Sequence, residues 1–194
     1  MTAAPVPVDL ARAYRLLNHG PVTVVTSAHA GRRNVMAAAW TMPLDFSPPK
    51  VAVVVDKSTF TRELIEASGS FVLNVPCRAQ AETVLAVGSC SGRDPECAGD
   101  KLARFGLHTL PATQVEAPLL AGCVGWLECR VVPEAHNEQR YDLFIGEVVA
   151  AWADPQVFAD GRWHFAAAPD ARRTLHYVAG GAFYATGEGI DLGD

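Results

Sequence analysis

A group of hydroxyl side chains and one lysine directly follows an apolar run. Val51–Val55 is apolar at every position, and Asp56-Lys57-Ser58-Thr59-Phe60-Thr61 comes next. If a helix begins in this segment, its first N–H groups and the positive end of its dipole attract an anion. Lys57 adds a positive charge, and Ser58, Thr59 and Thr61 add donors suited to phosphate oxygens. A simple helix cap explains the same residues, so both interpretations stay open at this point.

A second candidate segment is rich in alanine. Asn34–Thr41 reads Asn-Val-Met-Ala-Ala-Ala-Trp-Thr, and alanine is a poor strand residue. Three small side chains in a row let a flat ring lie close to the backbone, whose N–H and C=O groups then reach the ring edge. Trp40 could stack near such a ring, and Asn34 and Thr41 could donate hydrogen bonds. A short helical turn or a tightly packed sheet edge is the alternative, and spacing alone favours it.

The sequence lacks several common motifs of nucleotide-binding, metal-binding and nucleophile sites. The sequence has neither GxxxxGK[ST] nor GxGxxG after a strand, so it does not support a P-loop or Rossmann nucleotide site. The six histidines show no HxH or HExxH spacing, so no metal site is predicted. The segment Gly88–Gly92 does not match the GxSxG nucleophile elbow. Glu147 lies in an apolar run, and we expect it to pair with Arg130 on the facing strand.

A scaffold of short strands with inserted helices must position these residues. Periodicity predicts helices at the following positions: Leu10–Asn18, Thr59–Ser68, Gln80–Val87 and, for one or two turns, Asp100–Phe105. Apolar and β-branched runs predict six strands: Val22–Ser27, Asn34–Met42, Val51–Val55, Phe71–Val75, Gly122–Val132 and Tyr141–Trp152. Connections are expected at Asp45–Lys50, Gly88–Gly99 and Pro133–Arg140. Six closely spaced strands favour a closed or nearly closed antiparallel barrel.

Composition and charge narrow the class of protein. The 194 residues are 49% hydrophobic and carry a net charge of −5, which excludes a disordered chain and argues against nucleic acid as a partner. Met1–Asp9 has no basic region and no long apolar run, so we expect no signal peptide, and no stretch is apolar enough for a membrane-spanning helix. Five cysteines without a CxxC pair fit free thiols in a reducing cytoplasm.

Taken in order, these segments resemble the flavin reductase-like family, whose members adopt the FMN-binding split barrel. The resemblance rests on an ordered series of short motifs. They are Gly20-Pro21-Val22, Asn34 to Pro43, Ser47-Pro48-Pro49, Lys57 to Thr61, Ser70 to Pro76, Asp100-Lys101-Leu102, Glu128-Cys129 and Ile145 to Val148. The implied fold is mainly β with inserted helices, a Greek-key-like antiparallel split β-barrel. It forms a single domain over residues 1–194, with its core at about 10–185.

The resemblance also implies which residues bind the cofactor FMN. In this family the segment that matches Asn34–Thr41 wraps the flavin ring and ribityl chain, largely with backbone groups, and the segment that matches Lys57–Thr61 contacts the phosphate. The implied cofactor-binding residues are Asn34, Met36, Ala37, Ala38, Trp40, Thr41, Lys57, Ser58, Thr59 and Thr61. The chain-end segment His176-Tyr177 is similar to the family's C-terminal segment, which can approach the flavin. His176 is therefore the candidate catalytic residue.

The implied function is an FMN-dependent oxidoreductase in which NADH or NADPH reduces FMN, and FMN passes electrons to free flavin or another acceptor. Many nicotinamide-using relatives carry Gly-Asp-His where this chain has Gln139-Arg140-Tyr141-Asp142. One alternative is therefore a flavoredoxin-like electron carrier that a partner protein reduces, and another is a non-enzymatic binder of a different phosphorylated ring ligand. The resemblance further implies a homodimer with the flavin near the interface, and a membrane is not expected as a partner.

Overall fold

The computed structural model describes residues 4–97 and 100–192. Its strands are β1 (Val6–Pro7), β2 (Thr23–His29), β3 (Arg32–Ala38), β4 (Thr41–Phe46), β5 (Pro49–Val54), β6 (Ser70–Val75), β7 (Thr109–Leu110), β8 (Leu119–Leu120), β9 (Gly125–Val132), β10 (Leu143–Ala153), β11 (Phe158–Ala159), β12 (Arg162–Trp163), β13 (Leu175–Ala179) and β14 (Ala182–Ala185). The α-helices are α1 (Phe60–Ser68), α2 (Ala81–Gly88), α3 (Lys101–Arg104) and α4 (Ala135–Tyr141). Short 3-10 helices occupy Leu10–Leu16, Arg78–Gln80, Pro95–Cys97 and Asp170–Arg172.

The main sheet joins strands from both halves of the chain. Its order is β3-β2-β6-β9-β10-β5-β4, with β1 added on β10. Neighbouring strands are antiparallel throughout. Within the described residues the two end strands, β3 and β4, do not pair with each other, so the sheet is nearly closed rather than closed. The predicted antiparallel, mainly β architecture is confirmed.

The backbone conformation of its turn explains the hairpin that carries the alanine-rich segment. β2 and β3 pair in register from Thr23 opposite Ala38 to His29 opposite Arg32. The turn at Ala30-Gly31 has φ of 50° and 79°, the pair of left-handed residues that a tight two-residue hairpin needs. The register of this hairpin places Asn34 on the same sheet face as Met36 and Ala38.

The core lies between the sheet and the elements that cover it. All six residues of β6 are buried, as expected of a central strand covered on both faces. One apolar cluster includes Leu16, Phe71 and Phe144, and a second packs Val84 and Val87 of α2 against Val35 and Trp126. Both clusters hold the hairpin of β2 and β3 in place. None of the described helices is long and apolar enough to cross a membrane.

Two sequence predictions near the site were wrong in detail. Asn34–Met42 was expected to be one strand, but the chain leaves the sheet at Ala39-Trp40 and starts β4 at Thr41. Asp45–Lys50 was expected to be a connection, but only Ser47-Pro48 joins β4 to β5, through a cis peptide bond. Proline suggested a connection here, yet Pro49 is tolerated as the first residue of a strand.

The structure also bears on predictions for a turn, an ion pair and two chain segments. Pro133–Arg140 was predicted as turn material, but α4 forms there, and its polar sequence has no buried face to give a helical period. Glu147 lies opposite Arg130 as expected. The structure nevertheless gives no ion pair between these two described residues, because the Arg130 guanidinium donates to the carbonyl of Gln114 at 3.3 Å. Residues 1–3 of the segment Met1–Asp9, and the last two residues of the predicted loop Gly88–Gly99, lie outside the described residues.

Candidate cofactor-binding cleft

The first turn of α1 has the helix cap that the sequence allowed, but the hydroxyls of Ser58 and Thr59 already donate to Asp56. Thr59 is the N-cap, and its hydroxyl accepts a hydrogen bond from the Arg62 N–H at 3.2 Å. The Asp56 carboxylate accepts from the Ser58 N–H at 2.8 Å and from the Ser58 hydroxyl at 2.6 Å. The helix itself supplies no acceptors for the N–H groups of Phe60 and Thr61. The turn is therefore both a capped helix start and a place for an anion.

Asn34 of β3 is bonded to this turn. Its side chain is 2% exposed, and its Nδ2 donates to the Thr61 hydroxyl at 2.8 Å. Its other polar atom, Oδ1, is buried without a hydrogen-bond partner. A buried unpaired acceptor is unfavourable, so a donor that reached this oxygen would stabilise the site.

A polar cavity of about 360 Å³ lies where β3, the first turn of α1 and the loop after α2 meet. We call it the polar cavity. Its walls include six of the predicted cofactor-binding residues: Asn34, Met36, Ala37, Ser58, Thr59 and Thr61. The two candidate segments, distant in sequence, therefore line one space.

An apolar cavity of about 200 Å³ adjoins the polar cavity. Its lining residues are Val22, Ala37, Ala39, Val84, Leu85, Gly88, Ser89, Tyr177 and Phe183. The two cavities share Ala37, Gly88 and Ser89. A Cβ added at Gly88 would lie 3.3 Å from the Ala37 Cβ, so Gly88 and Ala37 pack closely where the two cavities meet. We call the two neighbouring cavities together the cleft; polar residues predominate in one lining and apolar residues in the other.

The four other predicted cofactor-binding residues do not line either cavity. The Lys57 ammonium lies 3.4 Å from the Asp142 carboxylate. Ala38 is buried within the sheet, and the Thr41 hydroxyl accepts from the Thr23 hydroxyl at 3.3 Å. Trp40 is 76% exposed. Their contact with a cofactor stays a prediction.

His176 lies behind the cleft rather than in its lining. Its Nδ1 donates to the Gly20 carbonyl at 3.0 Å, and its Nε2 lies 3.3 Å from the Thr186 hydroxyl. The neighbouring Tyr177 is the residue that faces the apolar cavity. His176 thus supports the position of β13 and β14, and its predicted catalytic role stays a prediction.

A second histidine completes a hydrogen-bonded chain with His176. His19 Nε2 contacts the Thr174 hydroxyl at 2.8 Å, and this hydroxyl lies 2.6 Å from that of Thr186. Burial, together with the nearby His176, lowers the pKa of His19 to about 4. His19 is therefore neutral at neutral pH and bonds β13 and β14 to the body of the protein.

Sequence reasoning missed the loop that forms the third wall of the polar cavity. This wall contains Ser89, Cys90, Ser91, Gly92, Asp94 and Lys101. A Cβ at Gly92 would lie 2.5 Å from Asn34 Oδ1 and 2.7 Å from Phe60 Cδ1, so the loop packs tightly on both candidate segments. Among these residues, only the motif Asp100-Lys101-Leu102 gave a signal, and it carried no assigned role.

Lys101 is the buried cation of the missed wall. It is 1% exposed, and its ammonium donates to the carbonyls of Val87 and Cys90, the second at 2.8 Å. Burial lowers its pKa from the usual lysine value. Lys101 thereby holds the loop after α2 against the cavity.

Arginines add positive charge beside the start of α1. Arg93 donates to the Ser58 carbonyl and lies 3.3 Å from Glu63, which also pairs with Arg32 at 2.9 Å. Hydrogen bonds from Arg32 and then Arg93 hold the pKa of the Glu63 carboxyl low. The cleft therefore suits a molecule with an anionic group at one end and a flat ring at the other. Within the described residues, no group of three or more His, Cys, Asp or Glu side chains could hold a metal ion.

Comparison with known proteins agrees with this geometry. Residues 15–181 match the sequence profile of the flavin reductase like domain. The protein YddH of Escherichia coli (strain K12) is 44% identical over 193 residues, which cover 97% of this chain and 98% of that protein.

Two solved structures show the same fold. An FMN-binding domain of a flavin reductases-like enzyme from Shewanella baltica OS155 superposes with a TM-score of 0.94 at 49% identity, over 100% of both chains. Flavoredoxin of Desulfovibrio vulgaris (Miyazaki F) superposes with a TM-score of 0.73 at 25% identity, over 98% of this chain and 92% of that one. The predicted FMN-binding split-barrel fold is confirmed, and the chain belongs to the flavin reductase-like family.

Proposed function

We propose that this protein is an oxidoreductase that binds FMN in the cleft between β3, α1 and the loop after α2. The hydrogen bond between Asn34 and Thr61 carries the proposal, because it joins the two candidate segments into one site. The site leaves the buried Asn34 Oδ1 without a partner. The cleft has room at one end for a flat ring beside small side chains and, at the other, helix donors for a phosphate.

The residues present fit FMN. The N–H groups of Phe60 and Thr61 would hold the phosphate, together with the Thr61 hydroxyl, whose oxygen accepts from Asn34 and whose hydrogen is not used by that bond. Asn34 Oδ1 would accept from a ribityl hydroxyl, and the segment Met36–Ala39 would hold the ring with its backbone. When bound, FMN supplies the electron-transfer chemistry. The chain's part is to fix the ring's position, to keep its inner face from water and to leave its outer face accessible.

We infer that reduced nicotinamide, NADH or NADPH, is the electron donor. Leu85 and Tyr177, which line the apolar cavity, are each about 40% exposed, so a second planar molecule can reach this end of the cleft from solvent. The accepted electrons then pass to free flavin or to another small acceptor. This direction of transfer needs no additional side-chain nucleophile or metal.

A flavoredoxin-like carrier reduced by a partner protein is the second candidate. Similarity to the Desulfovibrio flavoredoxin favours it. The segment Gln139–Asp142, where many nicotinamide-using relatives have Gly-Asp-His, offers no histidine. Its Asp142 instead accepts from the buried Arg62 at 2.8 Å, so this segment serves as a structural support.

We also propose a homodimer with the flavin near its interface. β4 is an end strand of the sheet and begins two residues after Ala39 of the cleft. Together with the preceding Trp40, it exposes a row of large apolar side chains: Met42, Leu44 and Phe46. Such a contiguous apolar row on a sheet edge needs a cover, and a second copy would supply it beside the cleft.

The cellular compartment and the domain organisation are also proposals. We place the protein in the cytoplasm, because all five cysteines are free thiols, which fits a reducing compartment. We treat the chain as one domain, because strands from both halves share one sheet.

The absorption spectrum of the purified protein, followed by nicotinamide oxidation, tests the function. Bound FMN gives bands near about 370 and 450 nm as a property of the flavin, and NADH or NADPH added with excess FMN should be oxidised. Flavin bands without oxidation of either nicotinamide would favour the electron carrier. A protein that retains a different ring compound and does not bind added FMN would contradict the assignment.

A further inference from the structure

We propose that Cys90 and Cys97 form a reversible disulfide in the wall of the polar cavity, and that its formation weakens FMN binding. The two thiols belong to the loop between α2 and α3, and their sulfur atoms lie 3.9 Å apart. Both are free thiols in the structure. The coupling to FMN rests on the proposed function, whereas the disulfide itself does not.

The two cysteines differ in accessibility. Cys90 lines the polar cavity and is half-buried, whereas Cys97 is 3% exposed. A disulfide needs a sulfur separation of about 2.05 Å, so the two atoms must approach by about 2 Å. The other cysteines, Cys77, Cys123 and Cys129, are fully buried, and a solution oxidant cannot reach them in the folded protein.

A buried cation lies beside the pair. The Lys101 ammonium donates to the Cys90 carbonyl at 2.8 Å and interacts electrostatically with both thiols and with Asp94. Burial and the neighbouring Cys90 raise the pKa of Cys97. Cys90 is therefore the first thiol to react, and Cys97 the second.

The reaction with a small-molecule disulfide balances in two exchange steps. The Cys90 thiolate attacks one sulfur of the small disulfide, forms a mixed disulfide and releases one small thiolate. The Cys97 thiolate, after giving its proton to solvent, attacks the Cys90 sulfur and releases the second small thiolate. The two cysteines lose two electrons, and the small disulfide is reduced to two thiols. Intracellular protein disulfides of this kind are usually redox-sensing.

The disulfide would displace the loop after α2, which forms one wall of the polar cavity where we propose that FMN binds. Cys97 is the fixed partner because it is buried, so bond formation draws Cys90 and its neighbours Ser89 and Ser91 towards Cys97. Gly92 packs so closely on Asn34 that a single added carbon would lie 2.5 Å from its Oδ1. The loop therefore cannot shift without disturbing the contact with Asn34. Because coupling is reciprocal at equilibrium, bound FMN should also shift the dithiol–disulfide equilibrium towards the two free thiols.

The first experiment uses flavin-free protein. It is incubated with oxidised glutathione, quenched with an alkylating reagent and mapped by mass spectrometry. We expect one disulfide between Cys90 and Cys97, reversed by dithiothreitol, with Cys77, Cys123 and Cys129 still alkylated after denaturation. Cys97→Ser should trap glutathione on Cys90, whereas Cys90→Ser should give neither product. If all five thiols are retained, or if the Cys90→Ser variant still reacts with glutathione, the proposed disulfide is wrong. Where a serine variant fails to fold, Cys90→Ala or Cys97→Ala takes its place.

The second experiment titrates FMN into the reduced and the oxidised protein. We expect oxidation to raise the Kd at least about threefold, and Cys90→Ser to bind FMN equally before and after glutathione treatment. Equal FMN affinity of the two redox forms would overturn the coupling. If the reduced protein binds no FMN, the proposed function fails, and the disulfide is still decided by the first experiment.

Discussion

The Asn34 amide nitrogen lies 2.8 Å from the Thr61 hydroxyl oxygen, so β3 is bonded directly to the first turn of α1. The two residues are 27 positions apart in the chain, and both are buried. This bond uses the Asn34 donor, while its Oδ1 is buried without a hydrogen-bond partner. One side chain therefore fixes the cleft and also contributes to it.

Loss of the Thr61 hydroxyl should destabilise the protein. Thr61→Val keeps the side-chain shape but leaves the buried Asn34 Nδ2 without an acceptor, so we expect the free energy of unfolding to fall by about 1–3 kcal/mol. Denaturant unfolding of the ligand-free protein measures this change. Ser27→Ala is the matched control, because the buried Ser27 hydroxyl has no partner to lose. Equal effects of the two substitutions would contradict the role of the Asn34–Thr61 bond.

Gly92→Ala should disturb the cleft directly. The added methyl group would lie 2.5 Å from Asn34 Oδ1 and 2.7 Å from the Phe60 ring. We expect a loss of about 1–3 kcal/mol in stability from overpacking, together with weaker FMN binding. Gly189→Ala is the control, since nothing lies within 4 Å of its added carbon. Thermal unfolding and FMN titration of both variants give the answer, and an unchanged Gly92→Ala protein would mean that the loop does not pack as described.

Below neutral pH, the free energy of unfolding should depend on the protonation of His19. Its folded-state pKa is about 4 because burial and His176 oppose its charge, whereas an unfolded histidine titrates near about 6.5. Between these values only the unfolded state binds the proton. The stabilisation from neutral His19 is therefore fully present above about pH 6.5 and is lost as the pH falls towards 4. Over this range the free energy of unfolding should fall by up to about 1.4 kcal/mol per pH unit.

The His19→Gln variant isolates this dependence. Urea unfolding from pH 4.5 to 7.5 should show a shallower slope for His19→Gln than for the wild type, and an unchanged slope for the exposed His108→Gln. If His19→Gln keeps the wild-type slope, His19 does not stay neutral in the folded protein.

The sequence was sufficient for the parts of the fold that local chemistry determines. The helix predicted over Thr59–Ser68 follows from residue types and short spacing, and α1 forms at Phe60–Ser68 with Thr59 as its N-cap. The mainly antiparallel sheet followed from the series of short strands. The polar and apolar cavities also contain six of the ten predicted cofactor-binding residues, Ala37 among them.

Features that depend on long-range packing were not predictable. The loop after α2 has an irregular polar sequence, and its place in the cleft depends on Lys101 and on the fit of Gly92 against Asn34. The position of Lys57 depends on Asp142, which follows α4 far along the chain. Helix α4 was missed because its residues have no buried face that would give a helical period.

The apolar row on β4 should control association. We expect Met42→Glu combined with Phe46→Glu to convert a dimer into a monomer, because burying two unpaired carboxylates at an interface is strongly unfavourable. Sedimentation analysis measures the mass of each form. Ile190→Glu, which changes an exposed apolar residue away from β4, should leave the mass unchanged. A monomeric wild type, or a double variant that remains dimeric, would contradict the proposed interface.

The most direct test of the account compares FMN with riboflavin by calorimetric titration of the flavin-free protein. The two ligands share the ring and the ribityl chain and differ in the phosphate that we place at the start of α1. Charge-assisted hydrogen bonds contribute about 1.5–3 kcal/mol each, so FMN should bind at least about 100-fold more tightly than riboflavin. Equal affinity for the two ligands, or no binding of FMN, would contradict the assignment of this cleft.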